Sequence, residues 1–391
     1  MKKPTLLKKL VSLAAVSSGS FALFSGINIY QNNENYYNNV LLPILFKFDA
    51  ETAHNIAIWT AKYKLLPKSV YEDPPQLASQ VWNLKFPNPL GIAAGFDKQA
   101  EGVESLHNVG FGFVEIGSVT PEPQPGNNKP RVFRLESNKA IINRFGFNSD
   151  GHNVVYERVK QLHSNKFQGI IGINLGKNKD SLDPADDYVK GILKFGDVAH
   201  YFVVNVSSPN TANLRKLQAK DQLKHLLKTV VETRNQLAVK PLPPILVKIA
   251  PDLSLDEKKD IADVVLDSKC KVDGLIVSNT TVDRYEYLDA RYKEETGGLS
   301  GEPLRNKSTE LISEMYKLTK GKLPIIGVGG VFSGKDAFEK IKAGASLVQI
   351  YTSFVYHGPP LVTRIKSELE ELLQKEGYNS VSQAVGAAHK S

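Results

Sequence analysis

The chain has 391 residues, 41% of them hydrophobic, and 49 Lys and Arg against 41 Asp and Glu, for a net charge of +8. That length suits one large α/β domain with an appendage or two ordinary domains, and the charge suits nucleic acid, an anionic membrane surface or an acidic substrate. No Lys/Arg run with interleaved aromatics occurs, which argues against nucleic acid, and a lone Cys270 excludes an internal disulfide and any cysteine-based zinc or iron–sulfur site, so no metal is expected.

The first nine residues carry Lys2, Lys3, Lys8 and Lys9 without an acid, and residues 10–33 are uncharged. About 20 apolar residues cross a bilayer, so this stretch is long enough for one span. Five serines and two glycines dilute it, which leaves a cleaved leader open beside the favoured reading of a single anchor. Residues 31–39, QNNENYYNN, read as a polar linker. Beyond them VLLPILFKF is very apolar, and after Asp49 the residues Ile56, Trp59, Tyr63 and Leu66 recur at helical spacing. Two short amphipathic helices over 40–68 follow, either docked on the main domain or forming an apolar lip at a membrane surface that admits a hydrophobic molecule.

Eight β-like runs then succeed one another at 90–95, 113–120, 169–176, 201–207, 245–250, 274–281, 324–330 and 346–353. Most alternate with helical patterns, such as Leu223, Leu226, Leu227, Val230, Val231 and Leu237, or Leu361, Ile365, Leu369, Leu372 and Leu373 after Pro359 and Pro360. Eight strand–helix units predict an α/β fold, a TIM (β/α)8 barrel with a small N-terminal helical extension, whose active site lies at the C-terminal strand ends. A doubly wound sheet is the weaker alternative, since no GxGxxG follows the first run.

The strand ends are where polar residues gather. The run YFVVNV leads into Ser207, Ser208, Pro209, Asn210 and Thr211; the others end near Lys98, Ser118, Asn174, Lys248, SNTT, GVGG and QIYTS. Gly329 and Gly330 lie where this fold places phosphates. Lys248 in a barrel mouth needs a partner, which an electron-rich cofactor ring would provide. The insertion at 121–151 is too long for an ordinary loop and is expected to cover the mouth, adding Asn143 and Asn148. Amides that both donate and accept suit a small heterocycle of alternating N–H and C=O groups.

The blocks AAGFDK, EIGSVTPEPQPGN, RVFRL, INRFGFNSDG, GINLGKN, VNVSSPNT, VKIAPD, DGLIVSNTT, GGLSG, GVGGV and QIYTS, in this order, resemble the class 2 dihydroorotate dehydrogenases, the membrane-associated, quinone-dependent type. The likeness spans roughly residues 40–377. It implies oxidation of dihydroorotate to orotate in pyrimidine (UMP) biosynthesis, with FMN as hydride acceptor and ubiquinone as final acceptor. Ser208 falls on the catalytic base. Lys98, then Asn143, Arg144, Phe145, Gly146 and Phe147, then Asn205, Asn210, Asn279 and Thr280 match substrate-contacting positions. Ala93, Ala94, Gly95, Ser118, Asn174 and Asn205 match positions around FMN, as do Lys248, Ser278, Gly301, Gly330, Tyr351 and Thr352. Serine is a poor base, so a neighbouring hydroxyl such as Thr211, or a water relay, is expected to help it. His54, Arg134 and Tyr351 match a quinone tunnel.

The division implied is 1–34 for targeting, anchor and linker, 35–75 for the helical tunnel and membrane contact, and 76–391 for the barrel. The expected location is the mitochondrial inner membrane, single-pass, with the barrel in the intermembrane space and lipid as a partner through the N-terminal segment. A flavin reductase acting on RNA would need a cysteine acid at the mouth and a basic binding surface, and neither is visible. A silent tethered flavoprotein would have lost Ser208, Lys98 or Lys248, and all three are present.

Overall fold

The computed structural model describes residues 5–390, so Lys2 and Lys3 of the basic N-terminal stretch lie outside the described residues. Helix α1, Leu6–Tyr30, is exposed along most of its length, touches the rest of the protein only near its C-terminal end, and has a mean hydropathy of 1.7 over its most apolar window. At 1.5 Å per residue it is about 38 Å long, enough to cross a bilayer core of about 30 Å. Its foot is tied down by Asn28, whose Nδ2 donates to the Phe24 carbonyl at 2.9 Å and whose Oδ1 accepts from Asn33 Nδ2 at 2.9 Å.

The stretch expected to be a polar linker is helical instead. Asn33 caps it by accepting from the Tyr36 amide at 3.2 Å, and a π-type turn, Tyr37–Leu41, runs into Leu42–Leu45. Composition hid this because two tyrosines among five asparagines supply the apolar contact: Tyr36 sets its ring edge-on to Phe24 at 5.7 Å, and Tyr37 is buried over Gly358. Helix α2, Ala50–Lys62, begins where Asp49 accepts from the Glu51 and Thr52 amides at 3.1 and 3.0 Å. It is shorter than the apolar periodicity suggests. Tyr63 ends it, Leu66 lies beyond it, and Trp59 and Tyr63 turn outward, 54% and 58% exposed, while Ile56 and Leu66 face an internal cavity.

Each of the eight apolar runs matches one barrel strand, the last of which begins one residue before its run: β1 Leu90–Ile92, β2 Phe113–Val119, β3 Ile170–Leu175, β4 Tyr201–Asn205, β5 Ile245–Ile249, β6 Gly274–Val277, β7 Ile325–Val328 and β8 Ala345–Ile350. All pairings are parallel, and the order runs β1 to β8 and closes on itself, a TIM barrel. Outward residues such as Val114, Phe202, Val247 and Val348 pack under the surrounding helices, including Lys220–Asn235 and Pro360–Lys375. Leu223, Leu226, Leu227 and Val230 are buried on the first of these, whereas Leu237 lies past its end.

Inside, Phe113, Tyr201, Leu246, Ile276, Ile326 and Leu347 form an apolar floor. A hairpin of Ser79–Val81 and Leu84–Phe86 plugs it from below through Trp82 and Phe86. Two glycines make the floor possible. A Cβ on Gly91 would stand 2.4 Å from the Phe113 ring, and one on Gly172 would stand 2.1 Å from that of Tyr201. At the other end the 121–151 insertion does cover the mouth, as an antiparallel sheet of Val132–Leu135, Ala140–Asn143 and the distant Gly298–Gly301.

Candidate functional site

Strand alternation decides which side chains enter the barrel, because residues two apart share a face. One pleat above the floor residues Phe113, Leu246 and Leu347 stand Glu115, Lys248 and Gln349. A carboxylate there has lost its water and needs donors. Glu115, fully buried, accepts from Asn174 Nδ2 at 2.9 Å, Gln349 Nε2 at 2.7 Å and the Tyr201 hydroxyl at 3.3 Å.

This carboxylate also supplies the counter-charge for Lys248. Burial pushes the Lys248 amine below the ordinary lysine range, and the Glu115 charge opposes that push. The protein thus provides one partner for Lys248 itself, in addition to the cofactor ring expected from the sequence. Glu115 was missed, although a lone acid inside the apolar run FVEIGSV is itself a signal for a charge facing the barrel axis.

Above this layer an amide network spreads across the strand ends. Asn205 Nδ2 donates to Ser118 Oγ at 2.9 Å and Asn174 Oδ1 at 3.2 Å, and its Oδ1 accepts from Asn279 Nδ2 at 3.2 Å. Asn210 Nδ2 donates to Asn143 Oδ1 at 3.2 Å.

A cavity of about 150 Å³ lies over the network at the C-terminal strand ends. Its walls include Lys98, Asn143, Phe145, Gly146 and Phe147 from the β1 loop and lid, and Asn205, Ser208, Asn210, Asn279 and Thr280 from the loops after β4 and β6. Around the rest of the rim stand Ala93, Ala94, Gly95, Ser118, Lys248 and Ser278, with Gly301, Gly330, Tyr351 and Thr352.

Three expected residues lie elsewhere. Asn174 sits behind Ser118 and Asn205 rather than on the wall. Arg144 turns away to pair with Glu295, donates to the Thr296 carbonyl at 3.1 Å and covers the Phe133 ring, because its strand neighbour Asn143 takes the inward direction. Asn148 Oδ1 is enclosed without a partner and its side chain does not reach the cavity.

Two lysines face the cavity with no protein acceptor within hydrogen-bonding distance among the described residues. They are Lys98, 3.8 Å above the Phe145 ring, and Lys248. The Lys98 amine is lowered to about 8, first by burial and then by Arg131, against the pull of Glu51 and Asp97. Gln349 Oε1 is likewise enclosed without a partner beside the cavity.

At the end of β7, Gly329 and Gly330 take φ values of +121° and +69°, and their N–H groups donate to no backbone acceptor. Such a turn presents free amides to an anion. Arg305 braces it by donating from Nε to the Gly330 carbonyl at 3.0 Å. Ser208 Oγ accepts from the Asn210 amide at 3.3 Å. Thr211, the hydroxyl expected to assist it, makes no bond to Ser208, and its Oγ1 is enclosed without a partner.

A second, larger cavity of about 230 Å³ lies between α1, the 37–46 helix, α2 and the barrel. Its walls are apolar apart from a few groups that include His54 and Arg134. Burial, and then the charge of Lys98, holds the His54 imidazole down at about 3, so the ring is neutral at physiological pH. It stacks on Tyr351 at 6.4 Å and meets Phe96 edge-on at 5.3 Å. Arg134 donates to the Phe46 and Phe48 carbonyls at 2.7 and 2.6 Å. Ile141, Phe145 and Tyr351 line both cavities, so a single layer of side chains separates them.

The model of the dihydroorotate dehydrogenase family matches residues 76–373. The chain is 49% identical to the mitochondrial dihydroorotate dehydrogenase (quinone) of Mus musculus, covering 98% of each protein. It is also 49% identical to the dihydroorotate dehydrogenase (quinone) of Xanthobacter autotrophicus, over 89% of this chain and 98% of that one. Among solved structures, the Eimeria tenella DHODH in complex with ferulenol superposes with a TM-score of 0.85 at 41% identity, covering 89% of this chain and 99% of that one.

Glu115→Gln keeps the shape of the buried carboxylate but removes its charge and turns one acceptor into a donor facing other donors. The variant is expected to lose about 2 to 4 kcal/mol of stability. Denaturant unfolding of the detergent-solubilised protein checks this, and an unchanged midpoint would show that Glu115 does not hold the layer together.

Proposed function

The chain belongs to the dihydroorotate dehydrogenase family, in its quinone-dependent branch, and on that premise we propose how its two cavities divide the reaction. It oxidises dihydroorotate to orotate, the redox step of pyrimidine biosynthesis. The observation that carries the division is the shared wall of Ile141, Phe145 and Tyr351, which places a polar cavity beside an apolar one.

The polar cavity suits FMN, the cofactor general to this family. The enclosed Gln349 Oε1, the amide network and Lys248 match a heterocycle of alternating N–H and C=O groups, and the Gly329–Gly330 turn matches a phosphate. Lys248, Ser118, Asn205 and Gln349 would hold the ring, and Gly301, Gly330 and Thr352 the phosphate end. When bound, FMN supplies the acceptor for the hydride that leaves the substrate.

The chain's own residues prepare that transfer. Ser208 removes the proton from the substrate carbon next to a carbonyl, while hydride departs from the adjacent carbon. Lys98 fixes the anionic substrate and steadies the negative charge that grows on its carbonyl oxygen. Asn143, Asn210, Asn279 and Thr280 orient the substrate by donating and accepting. Serine does this work only with assistance at neutral pH, from a neighbouring hydroxyl such as Thr211, three residues on, or from a water relay.

The apolar cavity is the quinone site, with His54 and Arg134 as its polar contacts. Ubiquinone is the acceptor we assign. Phe48, Ile44 and Leu65, beside Trp59 and Tyr63, are exposed large hydrophobics around this part of the protein. A lipid surface covers them, as for any apolar lip next to a spanning helix. The mouse, rice and Arabidopsis relatives are named mitochondrial, and α1 is long and apolar enough to cross a membrane. We place the protein in the inner membrane by residues 1–34, with the tunnel helices of 35–75 on the bilayer and the barrel of 76–391 in the intermembrane space.

Anaerobic mixing with dihydroorotate should bleach a bound flavin, and a ubiquinone analogue, but not fumarate or NAD, should restore its colour. Ser208→Ala should slow the bleaching by at least about a hundredfold without loss of cofactor. An undiminished rate at saturating substrate would remove Ser208 from the reaction.

Lys98 is cationic below about pH 8 and neutral above it. Orotate affinity should therefore fall as pH rises through 8, by up to about tenfold per unit. Lys98→Met should bind weakly with no such fall, and a parallel pH profile in wild type and variant would exclude the lysine. Carbonate extraction of mitochondria should leave the full-length chain in the pellet and release a form lacking residues 1–33. Release of the full-length chain would mean that α1 is no anchor.

A further inference from the structure

Arg215 lies in a 3-10 turn, Leu214–Gln218, that follows the serine loop, and it does not line either cavity. Its guanidinium nevertheless reaches three separate loops at the mouth of the barrel. Nε donates to the Ser207 carbonyl at 3.1 Å, which is the carbonyl of the peptide joining Ser207 to Ser208. Nη2 donates to the Thr280 carbonyl at 2.9 Å, in the loop after β6, and Nη1 pairs with Asp252 Oδ2 at 2.9 Å, in the loop after β5.

Asp252 is itself fixed, accepting from Lys307 Nζ at 2.6 Å, the Val282 amide at 3.0 Å and the Thr281 hydroxyl. The Ser208 hydroxyl, by contrast, has one bond only among the described residues, from the Asn210 amide in its own loop. The direction of its hydroxyl is therefore set by the peptide before it. Ser207, which contributes its carbonyl to that peptide, is held through its own amide and hydroxyl by Asn205 Oδ1, which accepts from Ser207 N and Oγ at 3.3 and 3.1 Å, and through its carbonyl by Arg215.

We propose that Arg215 is a positioning residue of the reaction: one planar guanidinium ties the peptide before Ser208 to the Thr280 loop and so sets the angle at which the serine hydroxyl meets the substrate. The inference rests on the reading of Ser208 as the base. Arginine is required because three acceptors lie in three directions around a rigid fork. Lysine offers a point charge on a flexible stem and would satisfy the Asp252 carboxylate before two neutral carbonyls. A displacement of the reacting group by about 1 Å costs about a hundredfold in rate.

The test uses the full-length flavin-loaded enzyme and follows each half-reaction by stopped flow. Arg215→Met should slow flavin reduction by dihydroorotate about a hundredfold at saturation. Reoxidation by a short-tailed quinone should stay within about twofold of wild type, because that cavity shares none of these loops.

Arg215→Lys should also be slow, and guanidinium ion added to Arg215→Ala should restore part of the reduction rate. Asp252→Asn, which keeps the fold should the arginine variants fail to load cofactor, should slow reduction in the same direction and leave reoxidation alone. Equal losses in both halves, or a wild-type reduction rate in Arg215→Met, would overturn the proposal. Ser208→Ala run in parallel separates the two readings. If it reduces at the wild-type rate, the base assignment has failed. If it is slow while Arg215→Met is fast, only the positioning role has.

Discussion

A single buried carboxylate organises the inside of this barrel. Taking Glu115 out of water costs several kcal/mol, and the structure offsets that cost with three donors and a nearby ammonium group. Each donor comes from a different strand, so the carboxylate links β2 to β3, β4 and β8 across the axis. Tyr201 reaches it only because Gly172 has no side chain in the path of the ring. Once Glu115 is satisfied, Gln349 can turn only its oxygen to the cavity, and Lys248 stands in the field of the carboxylate, which offsets part of the effect of its burial. The same acid thus settles both the closure of the barrel and the polarity of its mouth.

Above that layer the cavity is lined by neutral amides, with two cationic side chains among them. Neutral amides donate and accept without carrying charge, while the two lysines supply charge in surroundings that bring Lys98 close to neutrality at moderately alkaline pH. The adjoining cavity is built to the opposite specification, with apolar walls and a histidine that stays uncharged. Only the thin wall of Ile141, Phe145 and Tyr351 stands between two such environments.

The loops depend on a different kind of support from the barrel. Arg215, Arg305 and Arg131 each use a guanidinium to gather backbone carbonyls: Ser207 and Thr280, Gly330, and Pro125 and Asn127 respectively. Arg215 and Arg131 each reach two carbonyls, and their ion pairs with Asp252 and Glu51 join segments far apart in sequence. Rigid forks of this kind hold the irregular segments that carry Ser208, Gly330 and Phe145, where no strand ladder can.

The sequence by itself determined the barrel, because eight apolar runs between helical patterns admit few other closures, and it located the cavity, because polar residues at strand ends have one place to go. It also carried Lys98, Asn205, Ser208, Asn210 and Asn279, each in or just after a recognisable run, and Asn143 in the long insertion. Local pattern could not show direction. Asn143 and Arg144 are neighbours with opposite fates, and Asn174 and Asn205 have the same character but stand at different depths. The helix in the asparagine-rich stretch depends on Phe24 and Gly358, both outside it. Glu115 and Arg215 matter through partners 59 to 234 and 8 to 65 residues away, distances that no spacing rule reaches. Tertiary structure decided these roles because burial and hydrogen-bond satisfaction are properties of the assembled surroundings, and the chain has those surroundings only once the barrel has closed.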